Sequence, residues 1–470
     1  MAEASTKLNN FSKFNSAAAA LAADDFGTPV YVYDEDLILS RCYECLEMPN
    51  AYGLTVRYAM KANSNRSLLR IISGAGLKLD ASSLGEVLRA NMAGIPFEDI
   101  MLTTQEVYQG GEMSKLQELL LQGLKYNVCS IRQLELIGDF AQKNFFDPGI
   151  RIHPGVGSGE TATRNTGDDY SCFGVHLSDI DEVLRYAWGK WIRFKHIHVH
   201  IGSGADLDIW RQNIDLELRI IMQHFTEAET VSFGGGLKEA RMPGEHAADI
   251  MALGKYAKEQ ITAFYKKTKR KLKMEIEPGT FIVANSGYAV TRVVDKKRTA
   301  RSNFIITDGG MEINSRPLLY GSRHPVYIIS GDGAAVKSSE FDSDCFGGAN
   351  SAGGAGGADG ADGSDGIGGA DGAGWADGAG GYSAVVAGKC CESGDCQTLD
   401  MDGHAVPRLM AEPEIGDLAV IGGVGAYCSS MAPFNYNSHP QIPEVLFASD
   451  GGLRLIRKRQ TLEQILENEV

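Results

Sequence analysis

From about residue 50 to residue 285 one pattern recurs along the chain. A short run of β-branched and apolar residues closes on a polar residue or glycine, and a stretch with apolar positions at helical spacing follows. Eight such runs stand in order: TVRYA, LKLDAS, DIMLTT, LKYNVCS, GIRIHP, HIHVHIG, TVSFGGG and KMEIEPG. The stretches between them, such as SLGEVLRANMAG and GGEMSKLQELLLQG, end on glycine, which suits a helix C-terminus. Eight strand and helix units in about 235 residues match a closed parallel β/α barrel, with an open doubly wound sheet as the alternative. The expected fold is an α/β, TIM-like (β/α)8 barrel over residues 39–285.

After residue 285 the pattern changes to β-rich segments without regular helices between them: YAVTRVVDKK, SNFIITDGG, VYIIS, AVVAG, DLAVIGG and EVLFA. These predict a mostly antiparallel β-domain made of residues 1–38 and 286–470, closed by a helix over residues 461–469. The early run TPVYVYD is an isolated strand that fits this domain better than the barrel. Residues 347–381 are almost wholly Gly, Ala and Asp, with little to bury against the entropy of ordering them, and predict a mobile surface insertion. Its D-G steps do not keep the register of a calcium-binding repeat, so no metal is expected there.

A net charge of -15 argues against nucleic acid, whose binding draws on clustered Lys and Arg. The basic run KKTKRKLK, residues 266–273, reads as a solvated helix end. No stretch of about 18 apolar residues occurs, so no membrane span is expected. Nine cysteines in 470 residues are too sparse for a disulfide framework, and Cys390, Cys391 and Cys396 lack zinc-ligand spacing. A reducing compartment follows, cytoplasmic by expectation, with an organellar one left open.

Barrel enzymes place their chemistry at the C-terminal ends of the strands. There the chain puts Lys61 after the first run, His200 after the sixth, Gly234, Gly235 and Gly236 after the seventh, and Glu277 after the eighth. By itself Lys61 is a residue leaving a strand for solvent, and GGG is often only a turn. Together they suggest a phosphate cradle beside a lysine able to form a Schiff base, with Glu277 as acidic partner of a pyridine nitrogen, the set that pyridoxal 5'-phosphate needs. His200 would cover the cofactor ring; His196 and His198 also fit a purely structural role.

YAMKAN, HVHIGSG, FGGGL, EIEPG, SRPLLYG, CESGD and GAYCSSMAPFNYN, in this order, resemble the fold-type III pyridoxal-phosphate decarboxylases over nearly the whole chain. CESGD with GAYxxSM favours the branch that acts on diaminopimelate over the ornithine and arginine branches. The resemblance implies an alanine racemase-like fold and loss of CO2 from the D-centre of meso-diaminopimelate, giving L-lysine. It implies that Lys61 binds pyridoxal phosphate, His200 stacks on its ring, Glu277 pairs with its nitrogen, and Ser203, Gly234 to Gly236 and Tyr427 hold its phosphate. Arg316, Tyr320 and Tyr427 would hold the substrate. It further implies a homodimer in which Cys391, near the proton-delivery position, and Glu392, near the substrate amine, enter the other chain's pocket. The family's E-P-G-R, S-K-F/H-G and N-S-R-P read here with Thr280, Cys172 and His439 at the cationic position. Three lost cations point to weakened or shifted capture of an anionic substrate. The alternatives are a cofactor-binding, catalytically weak relative that regulates or binds partners, a decarboxylase of another basic amino acid, and a racemase on the same barrel, against which CESGD and GAYCSSM speak.

Overall fold

A computed structural model describes residues 14–155, 167, 170–242, 244–339 and 382–470. The chain opens with α1 (Ser16–Phe26), β1 (Val30–Asp34) and α2 (Glu35–Leu46). All eight expected runs then form strands: β2 (Leu54–Ala59), β3 (Lys78–Ala81), β4 (Ile100–Thr103), β5 (Lys125–Val128), β6 (Gly149–His153), β8 (His196–Val199), β9 (Thr230–Ser232) and β10 (Lys273–Ile276). A two-residue strand, β7 (Val175–His176), flanks β6. The order β5-β4-β3-β2-β10-β9-β8-β6 is parallel throughout, and pairing of β5 with β6 closes the barrel. The open-sheet alternative is thereby excluded.

Helices α3 (Arg66–Gly74), α4 (Leu84–Met92), α5 (Gly110–Leu121), α6 (Ile131–Asn144), α7 (Ile180–Gly189), α8 (Leu207–His224) and α9 (Ile250–Thr268) lie between the strands. Local chemistry starts several of them. Ser83, Ser130, Asp206 and Asp249 each accept a hydrogen bond from a backbone N–H of the helix that follows. Such caps satisfy donors that the first turn leaves without partners.

The barrel bore is lined by polar side chains in tiers. In the lower tier Arg57 donates through Nε to Glu275 at 2.7 Å, and His196 Nε2 lies 3.1 Å from the same carboxylate. Asn127 donates to Thr103 at 2.9 Å. Two residues further along the same strands, and therefore on the same face, stand Ala59, His198 and Glu277. The lower tier is a floor, and the upper one opens on the strand ends.

Past α10 (Thr280–Val283) come β11 (Gly287–Arg298), β12 (Asn303–Thr307), α11 (Arg316–Tyr320), β13 (Val326–Ile329), β14 (Val336–Ser339), β15 (Tyr382–Ala387), β16 (Arg408–Met410), β17 (Leu418–Gly422), β18 (Glu444–Phe447) and β19 (Leu453–Arg457). They form a second sheet in the order β14-β13-β17-β11-β1-β18-β19, with β12, β15 and β16 branching from β11. Most pairings are antiparallel; β1 with β18 and β12 with β15 are parallel. The early strand β1 sits in this sheet, between β11 and β18.

The alanine run forms α1, capped by Asn15, and its small buried side chains lie on Tyr288, Val290, Tyr327 and Val420. The helix expected over residues 461–469 is shorter, α12 (Leu462–Leu466), although Thr461 and Gln464 form the capping box. It buries no residue, and a short helix without a packed face has little to extend it. The insertion at residues 347–381 lies outside the described residues.

Candidate active site

A cavity of about 600 Å³ opens at the C-terminal ends of the barrel strands, within the size range of small-ligand sites. Its wall includes Lys61, His200, Ser203, Gly235, Gly236 and Glu277 from the barrel, and Arg316, Tyr320 and Tyr427 from the second sheet's connections. Sites that the sequence scatters over nearly four hundred positions thus meet in one hollow.

Lys61 stands in a single 3-10 turn, Met60–Ala62, just beyond β2. The turn is clamped from outside the barrel. Tyr427 N–H donates to Ala62 O at 2.8 Å, Ser430 Oγ to Lys61 O at 3.1 Å, and Asn63 Nδ2 to Gly425 O at 3.2 Å. The segment after β17 therefore lies across the lysine turn and carries Tyr427 beside it.

Glu277, just past β10, is 5 % exposed. One carboxylate oxygen accepts from Ser232 Oγ at 2.7 Å; the other lies 3.1 Å from His198 Nε2, at an angle too poor for a good hydrogen bond. Burial alone would raise its pKa, but His198 and the Ser232 hydroxyl outweigh that and hold it well below the usual range. Asp80, at the end of β3, moves the other way: burial first and the Glu277 charge second raise its pKa, and its Oδ1 has no hydrogen-bond partner. Two buried carboxyls close together do not both ionise readily. Glu277 is held toward the charged form and Asp80 toward the protonated one.

The glycine triplet is required by close approach. A Cβ on Gly235 would come within 2.1 Å of Glu277 O, and one on Gly236 within 1.7 Å of Gly202 O. Gly234 lies at φ +71 behind the wall, and it does not face the cavity. Gly235 N–H donates to His200 Nδ1 at 3.1 Å, which leaves that nitrogen unprotonated. Burial, then the positive charges of Arg151 and Lys61, push the His200 pKa well down, so the ring is neutral at physiological pH.

These residues fit the group expected from the sequence. A hollow floored by bare backbone admits a phosphate, a neutral imidazole can lie against an aromatic ring, and an ionised carboxylate in the bore can hold a proton on a ring nitrogen.

Cys391 and Glu392 do not face this cavity. Both are exposed; Cys391 N–H donates to Asn437 Oδ1 at 2.8 Å, and Tyr436 donates to Glu392 at 3.2 Å. Of the three departures from the family pattern, only Thr280 lines the cavity. Cys172 is exposed next to Phe173, whose ring lies under the Arg151 guanidinium, and His439 lies against Asn435.

The charged cavity residues that escaped sequence reasoning are Asp80, Arg151, Lys238, Arg241, Glu245 and Arg323. Asp80 and Arg151 have a positional signal, since each lies on an inward-facing strand position near a strand's end. Lys238 and Arg241 sit in irregular chain after the glycines and have none.

The family model described as "Pyridoxal-dependent decarboxylase, pyridoxal binding domain" matches residues 40–284. The chain is 31% identical over 456 residues to the diaminopimelate decarboxylase of Escherichia coli K12, covering 95% of this chain and 94% of that protein. A solved structure of a diaminopimelate decarboxylase superposes with a TM-score of 0.80 at 31% identity, over 98% of both chains. The Helicobacter pylori diaminopimelate decarboxylase, solved with L-lysine, gives 0.72 at 25% identity, over 95% of this chain and 98% of that one.

Proposed function

Because the chain belongs to the pyridoxal-dependent decarboxylases, we propose that it removes CO2 from the D-centre of meso-diaminopimelate and releases L-lysine. The observation that carries this reading is the convergence of Lys61, His200 and Glu277 on one cavity over a bare glycine turn. When bound, pyridoxal phosphate supplies an electron-deficient ring that accepts the electron pair left at the α-carbon as CO2 departs.

This chain's residues do the rest. Lys61 would hold the aldehyde through its amine, and its clamped turn fixes where that amine stands. Glu277, kept ionised, would keep a proton on the ring nitrogen. Neutral His200 would lie on the ring without adding a competing cation. Gly235, Gly236, Ser203 and Tyr427 would bind the phosphate. Arg316, whose guanidinium lies over the rings of Tyr320 and Tyr427 at 5.5 and 5.7 Å, would hold the carboxylate that is not lost.

The carbon that loses CO2 must gain one proton, and Cys391 is the candidate donor. It faces away from its own cavity, so a second copy would have to deliver it. Leu318 and Leu319 are exposed, and Leu318 touches the CESGD loop at Gly394. This supports a homodimer in which the partner subunit's Cys391 and the partner subunit's Glu392 complete the site, Glu392 beside the substrate amine.

The test is CO2 release from meso-diaminopimelate, ornithine, arginine and lysine, with visible absorbance to report bound cofactor. Release from meso-diaminopimelate alone is expected. Bound cofactor with no release from any substrate would favour a regulatory relative instead.

A further inference from the structure

Arg241 has no assigned role, yet it lines the cavity. Its side chain runs flat over Gly423, where a Cβ would meet its Cδ at 2.8 Å, and its Nε donates to Gly423 O at 2.9 Å. Nη2 is buried with no hydrogen-bond partner. Among the described residues no carboxylate forms an ion pair with it. Glu245, the nearest candidate by sequence, instead accepts from Arg241's own backbone N–H at 3.0 Å.

Arg316 is in the same condition. It is 7 % exposed, donates weakly to Ser322 Oγ at 3.3 Å, and leaves Nε buried and unpartnered. The two guanidiniums act on one another: burial first and Arg316 second push the Arg241 pKa down to about 10. Arg241 and Arg316 line the same hollow, and of the charges acting on Arg241 that of Arg316 is the largest. Two like charges on one cavity, each with a buried donor left open and neither ion-paired among the described residues, call for an anion from outside.

The position where the family pattern has an arginine is Thr280 here, which also lines the cavity. Threonine cannot offer a charged fork. We propose that Arg241 supplies the missing guanidinium and, with Arg316, clamps the substrate carboxylate that is retained in the product. The inference rests on the substrate reading above and deepens it. The cation has moved from the start of α10 to the connection after β9, so the loss at Thr280 is offset rather than suffered.

L-lysine, the product that keeps this carboxylate, is the binding probe, measured by calorimetry on the cofactor-loaded protein. Arg241→Met should weaken its binding by about 10- to 100-fold and raise KM for meso-diaminopimelate, with cofactor absorbance unchanged. Arg241→Lys, which keeps charge and stem but not the fork, should fall between, and guards against misfolding of the Met variant. Adding Thr280→Arg to Arg241→Met should recover at least about tenfold of the loss. L-lysine binding by Arg241→Met within about twofold of wild type, or loss of cofactor in place of loss of L-lysine, overturns the clamp alone. A wild-type protein that neither binds L-lysine nor turns over meso-diaminopimelate overturns the substrate reading, and the clamp with it.

Discussion

Lys61 owes its position less to β2 than to the backbone laid over its turn by Tyr427, Ser430 and Gly425. A long, flexible amine becomes useful for covalent chemistry only when its origin is fixed, because reacting atoms must be held in line. Lys61→Ala should lower CO2 release by about 10³-fold or more while the fold persists, measured by turnover and circular dichroism. Glu277→Gln keeps shape and removes charge. It should leave cofactor bound but lower kcat by about 10²- to 10³-fold, since a neutral amide cannot keep the ring nitrogen protonated. These residues were legible in the sequence because each follows an apolar run directly. Arg241 was not, because what defines it is an unpartnered atom in a shared hollow, a property of the folded chain.

Between elements, Glu444 on β18 is the junction. At 1 % exposure it accepts from Tyr33 at 3.1 Å, from Ser429 and from Asn65, the cap of α3, and pairs with Arg457 at 3.4 Å. It thus ties the second sheet, the barrel and the Tyr427 segment together. Glu444→Ala leaves several buried donors without an acceptor and should cost about 3 kcal/mol of stability by denaturant unfolding. Cofactor affinity should weaken as well, because the clamp over Lys61 loses its anchor. The barrel strands could be read from periodicity and strand-end residues. By contrast β19 (LRLIR) could not, since none of its side chains is fully buried and its partner β18 alone makes it a strand. Helix α1 left no mark in the apolar pattern, because the smallness of its side chains has meaning only against the sheet they cover.

Across the whole molecule, burial of neutral histidines sets the response to acid. His200 and His324 both have pKa values lowered well below the usual range, by burial first; for His324 the charges of Arg241 and Arg316 come next. The unfolded chain binds protons at these sites below about pH 6.5 while the native one does not. Stability is therefore full above that pH and falls as pH drops, by up to about 1.4 kcal/mol per pH unit for each such histidine. Thermal unfolding between pH 7 and pH 5 should show the decline, and His324→Gln, which removes one titrating group, should make it shallower. The same logic joins the barrel to its chemistry: a polar bore, costly to build, keeps Glu277 charged and His200 neutral where the strands end. The most direct test of that centre is borohydride reduction of the cofactor-loaded protein followed by peptide mass spectrometry. The cofactor is expected on the peptide containing Lys61, and its recovery on Lys238, the other lysine of the cavity wall, or on no lysine at all, would contradict the account.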